Sequence, residues 1–263
     1  MIGFDLSLTR LALGRTDATA SPAELSGLLA WYDPSDLSTL FQDAAGTLPV
    51  TSAGDPVGLM QDKSGNGRHM SQASAVARPL YQTDGTLHWL AFNGSNASLS
   101  AAAFDWGGAQ ALVMLAITKL TDTSTCCVLE TSANSNSHAG TLAVFAPSAQ
   151  HGAGVLEFRV RGSGAGETLK SLGHPVPGAF LLTGLADLAA QTASLRVDGA
   201  TTAASAAVPS GGTLGAHEIF LGRRNNSSLP FLGRFHGGVL ANSLPDPATL
   251  DSLETWGSSR LGG

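Results

Sequence analysis

Apolar and polar residues alternate along most of this chain with a period of two. The clearest case is segment 154–161, where the apolar positions run from Leu156 to Val160 and the charged positions from Glu157 to Arg161. Successive side chains of a β-strand point to opposite faces, so a strand with one face on a core and the other in water shows this alternation. The segment is therefore predicted to be a half-buried antiparallel strand.

Similar segments recur from residue 25 onward with turn-forming residues between them, a pattern typical of an all-β chain. The predicted strands are 28–32, 88–92, 111–120, 126–131, 141–145, 154–161, 180–185, 193–197, 218–223 and 231–240. Residues 33–83 are predicted to form a long loop that holds a short helical turn near 35–41.

One helix is predicted, and it closes the chain. Asp246 is a favourable N-cap, and Pro247 is a favourable first helical residue. Leu250, Leu253 and Trp256 then recur at a spacing of three, which gives the helix one apolar stripe.

Residues 1–24 are predicted to be an N-terminal docking arm and linker, followed by a single domain over 25–263. Phe4, Leu6 and Leu8 alternate with polar residues as in a short strand, whereas residues 16–22 are small and polar. Such an arm either forms an edge strand of its own domain or docks onto another protein by strand addition. We favour docking, because the linker separates the arm from the domain.

Charged residues make up only 13% of the 263 residues, about half the share of roughly 25% found in soluble domains. Lysine is scarce (Lys63, Lys119 and Lys170), and buried interfaces are also depleted in Lys and Glu. Two explanations stand side by side. Either the protein works in an assembly, as a symmetric homo-oligomer, or its genome favours small residues.

The charge and hydropathy exclude two classes of partner. The formal net charge is −6, and the adjacent Arg223 and Arg224 do not amount to a basic patch, so nucleic acid is not an expected partner. The longest apolar run, 111–117, is far shorter than the roughly 20 residues that span a bilayer. Neighbouring cysteines rarely form a disulfide, so Cys126 and Cys127 are expected to alternate between core and solvent on one strand.

The ordered series of motifs resembles the concanavalin A-like lectin/glucanase (laminin-G-like) jelly rolls. The series is DKSGNGRH at 62–69, LHWLAFNGSNASLS at 87–100, LRVDG at 195–199, EIFLGR at 218–223 and FLGRFHGGVL at 231–240. The resemblance implies a β-sandwich of two antiparallel sheets with the short helix after it and the extended arm before it.

The front half of this series, residues 28–99, resembles the version carried by fibre and head-spike proteins of tailed phages and gene transfer agents. That resemblance implies a virion component, attached to other virion proteins through residues 1–24 and in contact with host-surface polysaccharide. The N-terminus does not read as a signal peptide, so synthesis in the host cytoplasm and assembly into the virion are expected.

No catalytic constellation is present, and the chain is predicted not to be an enzyme. Retaining glucanases with this fold place carboxylates at alternate positions of one strand, as Glu-x-Asp-x-Glu, and the chain has no such run. Glu157 shares its strand face with Arg159 and Arg161, which stabilise a carboxylate, whereas a general acid must carry a proton.

A calcium site and a simple turn are the two interpretations of the loop around Asp62 and Asn66. Both residues offer oxygen donors at alternate positions, but no glutamate closes the loop as in an EF-hand. The turn is favoured, with Asp62 accepting backbone hydrogen bonds and with Gly65 and Gly67 at positive φ. No cofactor is otherwise indicated.

The candidate carbohydrate-binding residues combine an aromatic ring with planar polar groups: Trp106, Asp105, Arg159, Arg161 and Asn225. Trp106 is predicted to lie in a loop, where its ring would stack on a sugar. The alternative is that Trp106 covers an edge of the core and that the asparagines simply turn the chain. Trp31, Trp89 and Trp256 follow core-facing patterns and are predicted to pack.

Three functions are therefore expected, in this order. The first is a non-enzymatic virion component that contributes to host polysaccharide binding. The second is a stand-alone glycan-binding lectin module, and the third is a polysaccharide depolymerase or glycosidase.

Overall fold

The computed structural model describes residues 21–164, 166–205 and 212–263. In these ranges the chain forms two antiparallel β-sheets packed face to face, with one α-helix at the end. The all-β sandwich predicted from the alternating pattern is confirmed. Phe4, Leu6 and Leu8 of the predicted arm lie outside the described residues.

The described strands and the helix have the following bounds. They are β1 Leu28–Tyr32, β2 Leu40–Phe41, β3 Leu59–Met60, β4 Met70–Ser71, β5 Leu80–Thr83, β6 His88–Asn93, β7 Leu99–Gly108, β8 Gln110–Lys119, β9 Cys127–Thr131, β10 Thr141–Phe145, β11 Leu156–Arg161, β12 Gly166–Ser171, β13 Gly178–Asp187, β14 Thr192–Val197, β15 Ala200–Ser205, β16 Leu214–Leu221, β17 Leu232–Ala241 and α1 Pro247–Ser259.

The two sheets differ in what covers their outer faces. The helix-side sheet has the order β15-β14-β13-β8-β17-β6-β5, with β1 also pairing with β17. The loop-side sheet has the order β12-β11-β10-β9-β16-β7-β4-β3-β2. The helix α1 packs on the outer face of the first, whereas loops cover part of the outer face of the second.

The main core lies between the sheets and is built from the inward positions of each strand. The two sheets approach closely at Gly184 of β13, because a Cβ there would lie 2.6 Å from the ring of Phe158 on β11. A larger residue at position 184 would force the sheets apart, so the glycine sets the local thickness of the core.

The helix forms a second apolar layer against the helix-side sheet. Asp246 caps it by accepting hydrogen bonds from two backbone N–H groups of the first turn, and the predicted stripe of Leu250, Leu253 and Trp256 is buried. Gly257 allows a close approach, because a Cβ there would lie 2.5 Å from Leu181 of β13. The predicted helix is confirmed, and in the described ranges no helix is long and apolar enough to cross a bilayer.

An ion pair ties the helix to the sheet below it. Arg196 on β14 donates from Nε and Nη2 to the two carboxylate oxygens of Glu254 on α1, at 2.9 and 2.8 Å. This two-pronged contact fixes both the distance and the orientation of the helix.

Seven of the described strands were not predicted: β2 to β5, all within 33–83, and β7, β12 and β15. In β7 small residues interrupt the apolar alternation, and its register with β16 shifts twice. The strands β12 and β15 end their sheets and show little of the apolar period. Within 33–83 the predicted helical turn is present as a 3₁₀ turn at Leu37–Thr39, but the short strands β2 to β5 interrupt the predicted loop.

Removal of the helix's central aromatic side chain should destabilise the fold. Trp256 is 7% exposed and meets the ring of Trp31 edge-on at 6.0 Å. We expect Trp256→Ala to lower the free energy of unfolding by about 3–5 kcal/mol, the usual cost of deleting a packed aromatic residue. Urea denaturation measures this. The control is Thr255→Ala, at an exposed position, and equal stability of the two variants would contradict the packing role of α1.

Candidate functional site

A cluster of charged side chains surrounds one aromatic ring on the outer face of the loop-side sheet. Its members are Glu130 on β9, Phe145 on β10, Glu157 and Arg159 on β11, and Arg224 in the loop after β16. We call these five residues the guanidinium face. Both glutamates are fully buried, and Phe145 is 1% exposed.

Strand register places the four of these side chains that lie on strands, those of Glu130, Phe145, Glu157 and Arg159, on the same side of the sheet. Ala143 on β10 lies opposite both Glu130 and Arg159, and Phe145 lies opposite Glu157. Residues directly opposite on antiparallel strands point to the same face. The alternation within β11 puts Phe158 into the core and sends the two charged residues outward.

Arg224 is held in place by Glu130. Its Nε donates to Oε2 of Glu130 at 2.7 Å, while the backbone N–H of Ser135 donates to Oε1 at 2.6 Å. The guanidinium carbon lies 5.6 Å from the centre of the Phe145 ring. A carboxylate that already accepts a backbone hydrogen bond gives the guanidinium a fixed partner and so one orientation.

Arg159 has an equivalent support on the other side of the ring. Its Nη2 donates to Oε1 of Glu157 at 2.6 Å, and its Nε donates to Thr168 at 3.3 Å. The hydroxyl of Ser148 donates to Glu157, and Nε2 of His151 lies 3.4 Å from the same carboxylate oxygen. The guanidinium carbon lies 5.3 Å from the centre of the Phe145 ring.

Two guanidinium groups therefore flank one phenyl ring, and some of their N–H groups have no acceptor among the described residues. Nη1 and Nη2 of Arg224, and Nη1 of Arg159, make no hydrogen bond to another described residue. The Arg224 and Arg159 side chains are 13% and 11% exposed. The result is a pair of planar donor groups, stiffly mounted and partly open to solvent.

The loop that carries Arg224 has an unusual backbone. Asn225, Asn226 and Leu229 have φ of 49°, 51° and 50°, in the left-handed region that non-glycine residues rarely occupy. Leu229 packs on Cys127 and Phe145, so its burial helps to hold this conformation. Asparagine adopts this conformation readily, so the backbone strain lies at Leu229, and such strain is found more often at functional sites.

The structure brings together three of the predicted carbohydrate-binding residues. Arg159 belongs to the guanidinium face, and Asn225 follows Arg224 directly and is exposed. Arg161 lies on the same sheet face but braces loops, since its guanidinium donates to the carbonyls of Gly164, at 2.9 Å, and Asn136.

The loop position predicted for Trp106 is wrong. Trp106 lies in β7, is 2% exposed and belongs to the core, with its Nε1 donating to the carbonyl of Gln110 at 2.9 Å. No open ring face remains for a sugar, and the alternative of a core-covering role is confirmed. Asp105 is exposed, and its carboxylate accepts the backbone N–H of Gly107 at 3.0 Å.

The loop around Asp62 has the hydrogen bonds of a turn. Its Oδ1 accepts the backbone N–H groups of Trp31 and Ser64, and its Oδ2 accepts the backbone N–H of Arg68. Asn66 uses its amide nitrogen to donate to two backbone carbonyls of β1. Gly65 and Gly67 have positive φ, as predicted, and within the described ranges no group of three or more His, Cys, Asp or Glu side chains is arranged to hold a metal.

The solvent exposure predicted for two outward positions, Cys127 on β9 and Glu157 on β11, is wrong. Cys127 and Glu157 point away from the main core, yet both are fully buried. Burial, followed by the charge of Glu130, raises the pKa of the Cys127 thiol well above its usual value, so this thiol stays protonated. Neither cysteine is in a disulfide.

Sequence reasoning missed Glu130, Phe145 and Arg224 as site residues. The alternation in β10 and β9 does place Phe145 and Glu130 at outward positions, which is the one available signal. Nothing local shows that Arg224, 94 residues after Glu130, returns to meet it.

Comparisons with known proteins bear on the fold. No family model matches the chain, and no curated protein matches it. Among solved structures, the chain is similar to Trypanosoma rangeli sialidase in complex with the inhibitor DANA, at 11% identity and a TM-score of 0.55 over 88% of this chain and 33% of that one.

Two further structures show the same likeness. An α-L-arabinofuranosidase soaked with a cyclic sulfate inhibitor has 16% identity and a TM-score of 0.60, over 89% of this chain and 63% of that one. The binding domain of botulinum neurotoxin DC in complex with SialylT has 7% identity and a TM-score of 0.61, over 90% and 52%. The chain thus spans between a third and two thirds of these structures, and at such low identities the likeness establishes the β-sandwich fold alone.

Breaking one buried ion pair should cost far more than removing both partners. Arg224→Met leaves the Glu130 carboxylate buried without its counter-charge, so we expect a loss of about 3–5 kcal/mol in the free energy of unfolding. The double variant Glu130→Gln with Arg224→Met should recover much of this loss. Arg161→Met, which removes only hydrogen bonds to carbonyls, is the control. Additive losses in the double variant, measured by urea denaturation, would contradict the pairing.

Proposed function

We propose that this chain is a non-catalytic glycan-binding module that binds sugar on the guanidinium face. The observation that carries the proposal is the pair of guanidinium groups beside Phe145, each locked by a buried glutamate and each with donors that no described residue accepts. Planar donors of this kind form paired hydrogen bonds to neighbouring oxygen atoms, which both neighbouring hydroxyls and carboxylates of a saccharide present.

Rigidity is what makes these donors useful for binding. A free arginine side chain loses rotamer freedom when a ligand orders it, at about 0.5–1.5 kcal/mol for each such side chain. Arg159 and Arg224 are already ordered by Glu157 and Glu130. Their rotamer freedom is therefore lost when the chain folds, and ligand binding does not carry this entropic cost. The strained loop after β16 keeps Arg224 over the ring in the absence of a ligand.

Further polar groups lie at the border of the face. Thr168 and Lys170 on β12 lie opposite Arg159 and Glu157, and the side chain of Lys170 is exposed. Asn225 offers an exposed amide on the opposite border. A few placed polar groups around an apolar contact are the usual composition of a ligand site.

The similar structures support a saccharide ligand. Two of them are a sialidase and an arabinofuranosidase, and a toxin binding domain was solved with SialylT. The resemblance of residues 28–99 to phage fibre and spike proteins supports the same class of ligand.

Hydrolysis is the second candidate function, and one observation favours it: Glu130 and Glu157 are two carboxylates on one sheet face. Three observations favour binding instead. Both carboxylates are fully buried, each is paired with an arginine, and they belong to strands on either side of β10. Alternate strands lie roughly 10 Å apart, which exceeds the 5–5.5 Å between the carboxylates of retaining glycosidases. Inverting glycosidases have a wider separation, of about 6.5–9.5 Å, and hold a water between the carboxylates; here β10 and its Phe145 side chain lie between the two strands instead.

Charge-conserving substitutions test the binding role. We expect Arg159→Lys and Arg224→Lys each to weaken binding to bacterial surface polysaccharides at least tenfold on a glycan array, because lysine keeps the charge but loses the planar donors. Asn225→Gly deletes the exposed amide and tolerates the positive φ, so a smaller loss is expected.

The matched control is Arg196→Lys, which alters the equivalent arginine–glutamate pair with Glu254 on the helix-side sheet. Equal losses in Arg196→Lys and Arg224→Lys would show a general effect on the fold and contradict the site. Release of reducing ends from a bound polysaccharide, abolished by Glu130→Gln, would establish the hydrolase instead.

We further propose that the module is carried on a phage-type particle as a spike or fibre subunit and binds host-surface polysaccharide there. The resemblance of residues 28–99 supports this role, as does the low content of charged residues, which suits a symmetric homo-oligomer. Attachment to other virion proteins is assigned to Phe4, Leu6 and Leu8.

Truncation tests the attachment. The deletion should end at residue 20, because Ser21 caps a 3₁₀ turn at Pro22–Glu24 in which Pro22 is buried. We expect the truncated chain to bind glycan as the full chain does but to be absent from purified particles, as judged by immunoblot. Normal incorporation of the truncated chain would refute the attachment role.

A further inference from the structure

The outer face of the helix-side sheet has a part that α1 does not cover. A groove of about 490 Å³ lies there, with Leu185, Ser194 and Ala204 among its lining residues. These three residues are opposite one another in register across β13, β14 and β15. Leu244, which precedes the helix, forms one wall of the groove.

The groove lies beside a sheet edge. In the part of the chain that the structure describes, β15 is the last strand of the helix-side sheet. Most of its residues are exposed, and Ala200–Ser205 contains no charged residue and no proline. Natural edge strands usually carry such residues to block pairing with another strand, so this edge is suited to accept one.

The described chain begins close to the same groove. Glu24 and Leu25 share a cleft with Leu244 and Pro245 at the start of the helix. Leu244 therefore borders both the cleft through which the chain enters and the groove. Residues 1–20 join the domain at this point.

The sequence of residues 1–20 matches the groove in chemistry and in reach. Phe4, Leu6 and Leu8 present one apolar face, with Asp5 between them on the other. The 13 residues from Leu8 to Ser21 span up to about 43 Å when extended. The segment is thus long enough to run from the cleft at Leu244 to the groove that Leu244 also lines.

We propose that residues 4–8 of the same chain bind beside β15 as an added strand, along the open border of this groove. Neighbouring strands lie about 5 Å apart, so Phe4, Leu6 and Leu8 pack over Ala204 of β15, and backbone hydrogen bonds extend the sheet by one strand. The inference goes beyond the proposed function. In the free subunit Phe4, Leu6 and Leu8 are packed against the domain. A particle protein must release the arm from the domain before it can bind these three residues.

Limited proteolysis of the full chain tests the proposal. Trypsin can cut the segment after Arg10 and Arg15, and intact mass measures the rate. We expect Ala204→Glu, which puts a charge into the groove, to raise this rate at least tenfold. Leu6→Asp, which puts a charge on the arm instead, should raise the cleavage rate by a similar factor. The control is Ala102→Glu, at an exposed position of β7 on the other sheet.

The double variant separates docking in the groove from independent effects. If Leu6 and Ala204 meet, Leu6→Asp with Ala204→Glu should be cut no faster than either single variant. Equal rates for the wild-type chain and Ala204→Glu would overturn the proposal. Protection that rises with protein concentration would also overturn it, because the occupant would then come from a second copy.

Discussion

The whole structure depends on one constraint: each sheet must bury most of both its faces. Between the sheets this is done with apolar side chains, as in any sandwich. The outer face of the helix-side sheet is covered by α1, whose apolar stripe ends at Trp256. On the outer face of the loop-side sheet it is done with two buried arginine–glutamate pairs around Phe145, and this is the face to which we assign function.

Buried ion pairs are a poor means of stabilisation, because the cost of removing two charges from water can exceed their attraction. Apolar residues of similar size would cover the loop-side sheet as well or better. The arrangement is better understood as a way to hold guanidinium groups stiffly at a partly open surface. The pair of Arg196 and Glu254 shows the other use, since there the same contact ties a helix to a sheet.

Much of the fold was predictable because its signals are local. Strands β1 and β10 were predicted with the bounds they have, and the helix was identified from its cap and its stripe. The strands that were missed carry weak local signals. In β7 small residues hide the period, and Trp106 therefore read as a loop residue although it is a core residue.

The sequence by itself determined which residues of a strand share a face, because that depends only on the two-residue period of the backbone. It thus placed Arg159 beside Glu157, two residues apart. Only the tertiary structure decided what covers that face, since the cover comes from distant parts of the chain. Arg224 meets Glu130 across 94 residues, and no local pattern records a contact that chain folding alone creates.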